Sequence, residues 1–247
     1  CVSVGEGVYY MGGAIQAGND IDIQVKKPVS EDSGIYIGAL PEGSQATVSA
    51  DTSLIAGHDA RFKVKGDGGI LLEGTVLAET GDVAANVSGE GIILITRSVV
   101  SESESVSMHT GEGHIVIGTD NTPDEQTVKA KKDVTAETGL GTITIQGATM
   151  TETGNITMTA GSDKDSNEQG TAAGNFIIRD DGKLESGAGI TLNGRYRDIE
   201  ITDRIQARTD LAINVAGQGD VSVGTDVNVS NIVSISTEKG SIAVGHA

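Results

Sequence analysis

The chain is poor in aromatic residues: four tyrosines, two phenylalanines and no tryptophan in 247 residues. Rings fill wide globular cores efficiently, so their scarcity argues against a compact enzyme core and for a narrow aliphatic one. The single cysteine, Cys1, excludes an internal disulfide and a disulfide-stapled scaffold, but not secretion. Prolines number only three. Basic residues are also few, with 17 Lys and Arg against 35 Asp and Glu, a formal net charge of −18. Nucleic acid and anionic membrane both require clustered cations, so neither is an expected partner. No apolar run reaches the roughly 18 residues of a membrane-spanning helix, so membrane insertion is not expected. Neither a signal peptide nor an initiator methionine opens the chain. Cys1 suits the anchor of a mature lipoprotein. However, "CVSVGEGVYYMGG" already reads as repeat sequence, so the expectation is one segment, 1–247, of a longer repetitive protein.

What the sequence has in abundance is glycine, 35 residues, together with Ile, Val, Ala and Leu interleaved with Thr and Ser. That is a β composition. Gly-x-Gly recurs at 5, 66, 89, 111, 139, 187 and 217, usually just before a short β-like run such as "GILLEG", "IILIT", "HIVIG", "TITIQG" or "DVSVG". Gly66 to Gly89 is 23 residues, Gly89 to Gly111 is 22, and Gly217 to Gly240 is 23. Longer gaps coincide with polar stretches near 120–132 and 161–174, which read as loop insertions. Further short strands fill the intervals, including "QATVSA" (45–50), "ARFKVKG", "DVAANVSG" and "SESVSMHT". No amphipathic helix is evident beyond one turn in "PDEQTVKAKKDV".

Two or three strands of about five residues per 22-residue step fit one coil of a parallel β-helix, in which insertions become loops. The expected fold is all-β, a parallel β-helix of roughly 11 coils stacked about 4.8 Å apart. Alternation places aliphatic side chains inside and Thr, Ser, Asp and Lys outside. Glycines are expected at corners that need positive φ and no Cβ: Gly89, Gly91, Gly111, Gly113, Gly139, Gly141, Gly187, Gly189, Gly217 and Gly219. An antiparallel sandwich array would show longer strands, more aromatics and more Asn-Gly or Asp-Gly turns.

Two stretches, "DVTAETGLGTITIQGATMTETGNITMTAG" and "DLAINVAGQGDVSVGTDVNVSNIVSISTEKGSIAVG", carry a family resemblance. They resemble the shaft repeats of filamentous-haemagglutinin-type adhesins of two-partner secretion, a group that includes leukotoxin-like filamentous adhesins. The resemblance spans essentially the whole chain. It implies a right-handed parallel β-helix, export through an outer-membrane transporter, display at the bacterial cell surface, and an adhesive or structural role without enzymatic activity. The implied partners are neighbouring repeats or like subunits end to end, and a host-cell or glycan receptor. Autotransporter passengers share this composition.

The motifs of catalysis are missing. "GHIVIGT" lacks the lysine and following helix of a phosphate loop, and no Rossmann fingerprint is present. No cofactor is expected. His58, His109, His114 and His246 show no metal-ligand spacing, and the calcium-roll repeat is approached once, in "GQGDVSVGTD". No metal or catalytic residue is therefore expected. One dense charged cluster remains, "RYRDIEITDRIQAR" from Arg195. Arg195, Tyr196, Arg197, Asp198 and Glu200 are its candidate ligand or partner contacts. Alternation would put Arg197, Ile199 and Ile201 on one face and let acids and arginines pair across coils. The alternative function is a β-helical carbohydrate-active enzyme or a tailspike-like glycan binder, which needs a carboxylate-lined groove with aromatics.

Overall fold

The computed structural model describes residues 1–29, 33–38, 52–119, 127–161, 175–224 and 226–245. Among them are 29 strands, β1 (Val2–Val4) to β29 (Ile242–Val244), and no helix. Every third strand belongs to the same sheet, giving two sheets of 10 strands and one of 9. Pairing is parallel, as where Ile93 lies beside Ile70 and Ile115. The fold is thus a three-sided parallel β-helix of about ten coils.

Register explains the spacing. Val83 aligns with Ala60 and Val106 with Val83, steps of 23 residues, and Ile156 aligns with Val134, a step of 22. Three steps are longer: Ile21 to Ala60 (39), Val106 to Val134 (28) and Ile156 to Ile190 (34). The last two contain the expected insertions; the first is a third that the sequence pattern did not reveal. Those long steps consume residues, which is why the coils number about ten instead of 11. Residues 39–51, 120–126 and 162–174 lie outside the described residues, and the strand expected at 45–50 falls among them. The insertion expected over 120–132 ends earlier, because Thr127–Ala130 forms β15. Its Val128 and Ala130 are fully buried beside Val99 and Ser101, so period-two burial prevails over the helical turn expected there.

The interior consists of stacked columns. Ile35, Ile70, Ile93, Ile115 and Ile143 form one, continued by Phe176, Ile199 and Val221. Each fully buried aliphatic side chain contributes about 1.5–3 kcal/mol. Phe62 stacks between Ile23 and Ala85, a large ring beside a small neighbour. Two inner-column hydroxyls are satisfied locally, whereas the buried Thr149 Oγ1, between Val128 and Leu184, has no hydrogen-bond partner among the described residues. Thr110 and Thr138 donate to the carbonyls of Gly113 and Gly141 at 2.8 and 2.7 Å. The outside departs from strict alternation. On the sheet containing β8 (Gly69–Leu72), the outward column reads Tyr10, Tyr36, Leu71, Leu94, Val116, Thr144, Ile177, Glu200, Ser222, Ala243. Strands such as "ILL" and "IVI" are apolar on both faces, in the manner of doubly covered parallel strands.

Corners are held by polar side chains. At the corner entering the sheet of β7 (Ala60–Val64), Asp20 Oδ1 accepts from the Asp59 N–H, and Asp59 Oδ1 accepts from the Asp82 N–H. Asp82 Oδ1 accepts from the Ser105 N–H, Ser105 Oγ from Asp133, Asp133 Oδ1 from Asn155, and Asn155 Oδ1 from Gly189. This spine ends at Gly189, which has no side chain to continue it, and resumes when Asp210 accepts from the Ile232 N–H.

A tight turn follows β20 (Phe176–Ile178). The Gly182 N–H donates to the Arg179 carbonyl at 3.0 Å, while Asp180 and Asp181 sit at φ 55° and 74°. Left-handed backbone favours glycine. Asp181→Gly keeps the N–H that donates to Asp203 Oδ2. It is expected to stabilise the fold by about 0.5–1 kcal/mol, the strain relieved less the entropy of glycine. A lowered thermal midpoint would show that the Asp181 side chain contributes more than its strain costs.

Candidate functional site

The expected contact segment spans a corner. Arg195 ends β22 (Ile190–Arg195), Tyr196 to Asp198 form the turn, and Ile199–Ile201 is β23. Ile199 and Ile201 are fully buried, and Glu200 faces out. Arg197 does not share the isoleucines' face: it is exposed in the turn, where Tyr196 at φ 59° breaks the alternation. Among the described residues no ion pair joins Arg197, Arg204 or Arg208 to a carboxylate, so these three take no part in the expected acid–arginine pairing. The carboxylates bind backbone instead. Asp198 Oδ1 accepts from the Asp220 N–H at 2.8 Å, and Asp220 Oδ1 accepts from the Ser241 N–H at 2.6 Å. The corner forms a recess of about 390 Å³ lined by Tyr196, Arg197, Asp198, Gln218, Asp220 and Lys239. Three of the five expected residues meet there, while Glu200 is not part of its lining. Arg195 is not part of the lining either; its guanidinium carbon lies over the Tyr196 ring, 5.5 Å from its centre.

A second cluster was not anticipated from the sequence. Asp20, His58 and Asp59 come together at the start of the polar spine, with one donor atom from each within 4.8 Å of the others. His58 Nδ1 is 3.0 Å from Asp20 Oδ1 and 3.1 Å from Asp59 Oδ2. Arg61 reaches Asp59 Oδ2 directly and Asp20 Oδ2 at 3.6 Å. The backbone hydrogen bond from Asp59, with help from His58 and Arg61, holds the Asp20 carboxyl below its usual range. The carboxylates are already engaged by backbone, His58 and Arg61, so a metal ion would have to displace a guanidinium. Sequence spacing hid this group because Asp20 and His58 are 38 residues apart, across the longest step. The other described histidines are peripheral: His109 is 3.9 Å from Glu137, and His114 Nδ1 accepts from the Thr142 N–H.

A third feature is a groove of about 330 Å³ that includes Glu152, Glu185 and Arg208 but no aromatic residue. Lys131 and Lys129 lie 2.5 and 2.9 Å from Glu152 and bring its carboxyl down from the ordinary 4.5 to about 2. A lowered folded pKa gives stability that is complete above the unfolded value and is lost as pH falls toward the folded one. The thermal-midpoint difference between the parent and Glu152→Gln should therefore close as pH drops from about 5 to 2. A constant difference across that range would rule out this coupling. Glu152 is exposed, so the effect should also shrink in high salt.

Eight of the ten expected turn glycines share one corner: Gly89, Gly91, Gly111, Gly113, Gly139, Gly141 and Gly219 follow strands of the β7 sheet, and Gly217 lies at the end of one, Leu211–Gln218. Gly187 and Gly189 do not. They precede β22, at the corner of the polar spine. Of the ten, only Gly217, at φ 82°, occupies the left-handed region. Stacking imposes glycine at the central positions of this corner. A Cβ on Gly113 would overlap the Gly91 carbonyl oxygen, and one on Gly141 that of Gly113.

Comparison with protein-family models, curated proteins and solved structures finds no match to this chain.

Proposed function

We propose that this chain is a shaft segment of a secreted, cell-surface filamentous bacterial adhesin, structural and adhesive and without enzymatic activity. The observation that carries this reading is the uniformity of the coil, in which the same inner columns run through about ten coils. Such an architecture extends indefinitely by adding coils and gives length in proportion to sequence. The family resemblance of the repeats adds export through an outer-membrane transporter and display outside the cell. Neighbouring repeats or like subunits end to end, and a host-cell or glycan receptor, are the corresponding partners. A surface of net charge −18 suits a hydrated rod. The groove nearest to the enzymatic alternative commits Glu152 to two lysines and has no ring to stack a sugar, which also favours the shaft.

Negative-stain micrographs of the purified chain should show rods about 50 Å long; globules would sink the reading. On bacteria that make the whole protein, antibody against this segment should label intact cells. Labelling confined to lysed cells would remove surface display.

A further inference from the structure

We propose that the recess beside Tyr196 binds a neutral saccharide, with the tyrosine ring as its apolar platform and the surrounding charged side chains as hydrogen-bonding partners.

The first observation is strain. Arg195 aligns with Ala216, which places Tyr196 level with Gly217 of the next coil. Gly217 is left-handed at φ 82°, and Tyr196 adopts the same region at φ 59°. The corner asks for glycine there and carries a bulky ring instead. Strained side chains of this kind cluster at binding sites. The ring is fixed in place by its neighbours. A Cβ on Gly217 would come within 2.5 Å of its carbons, and Arg195 lies over it. Tyr196 nevertheless stays 39% exposed at the recess.

The second observation is the balance of polar groups. Arg197 and Lys239 oppose Asp198 and Asp220, so the lining has no net charge. Each aspartate spends one oxygen on a backbone N–H, and its other oxygen has no hydrogen bond among the described residues. An anion would meet two carboxylates and a cation two positive groups. Sugar hydroxyls, each both donor and acceptor, match carboxylate oxygens, a guanidinium, an ammonium and the Gln218 amide together. A volume of about 390 Å³ is within the range of small-ligand sites. The biological purpose rests on the adhesive reading above, whereas the binding chemistry does not.

The experiment screens the full chain on an array of neutral hexose and N-acetylhexosamine oligosaccharides, with tetragalacturonate as the anionic comparison. Hits are then titrated at low and high salt. At least one neutral saccharide should bind, with an affinity insensitive to salt. Tyr196→Gly should weaken it about tenfold or more while leaving the thermal midpoint unchanged or raised. Arg197→Gln, a turn residue without an ion pair among the described residues, should weaken it several-fold and tests the site should Tyr196→Gly fail to fold. Three outcomes would overturn the proposal: no neutral saccharide binds, only tetragalacturonate binds and salt abolishes it, or both variants bind as well as the parent. Rods in micrographs are scored separately, so loss of binding and loss of the shaft reading are told apart.

Discussion

Phe62→Ala should lower the unfolding free energy by about 3–5 kcal/mol, the range for deleting a buried ring. The upper half of that range is expected because the site cannot collapse. Phe62 is 1% exposed and lies in β7 between Ala60 and Val64. Along the column its neighbours are Ile23 on one side and Ala85 on the other. Ala85 has no side chain to swing into the void, and the pairing of three parallel sheets holds the walls apart. A stacked repeat also transmits the damage, since each coil is stabilised mainly by its neighbours. Urea unfolding followed by circular dichroism should show a lower midpoint, and a broadened or two-step transition if the coils uncouple. Phe62→Leu should cost under about 1.5 kcal/mol. If alanine and leucine prove equally mild, the ring is not the packing element described here.

Asp59→Ala should be the most damaging change among the corner residues, at about 2–3 kcal/mol. The Asp59 side chain is 5% exposed. Its loss leaves the Asp82 N–H without its acceptor, removes the main partner of Arg61 and breaks the contact with His58. Arg61 is half-exposed and can rehydrate, so the cost stays below that of orphaning a fully buried charge. Asp59→Asn keeps an oxygen for the Asp82 N–H and should cost about half as much or less. Exposed spine positions such as Asp210, where the Ile232 N–H can turn to water, should cost about 1 kcal/mol or less. Equal losses for the alanine and asparagine variants at 59 would mean that charge, and not the backbone hydrogen bond, is what this corner requires.

The strands themselves were legible because a half-buried strand records its burial at period two. The "TITIQ" alternation and the Gly-x-Gly beats mark β17 (Ile143–Ile145), and the 22-residue step from Gly89 to Gly111 is the one that sets "HIVI" beside "IILI". Of the two causes expected for the glycine beat, the lack of room for a Cβ holds widely, whereas positive φ holds only at Gly217. Gly113 and Gly141 are glycine because one coil's carbonyl occupies the space above the next. Gly187-x-Gly189 shows the limit of a motif: the same letters mark a different corner. The site was half legible. A charged run with a rare tyrosine pointed to Tyr196, Arg197 and Asp198, but Gln218, Asp220 and Lys239 come from the next two coils and carry no local mark.

The coil is a local matter, because short alternating strands at a spacing near 22 residues can bury their apolar face only by stacking. Which residues then meet is decided by the tertiary structure. Asp20 finds Asp59, Tyr196 finds Gly217, and Leu71 lines up with Leu94 on the outside. Those meetings depend on how many residues each corner and insertion consumes. Turn length leaves no periodic trace in the sequence, and it sets the register of everything that follows.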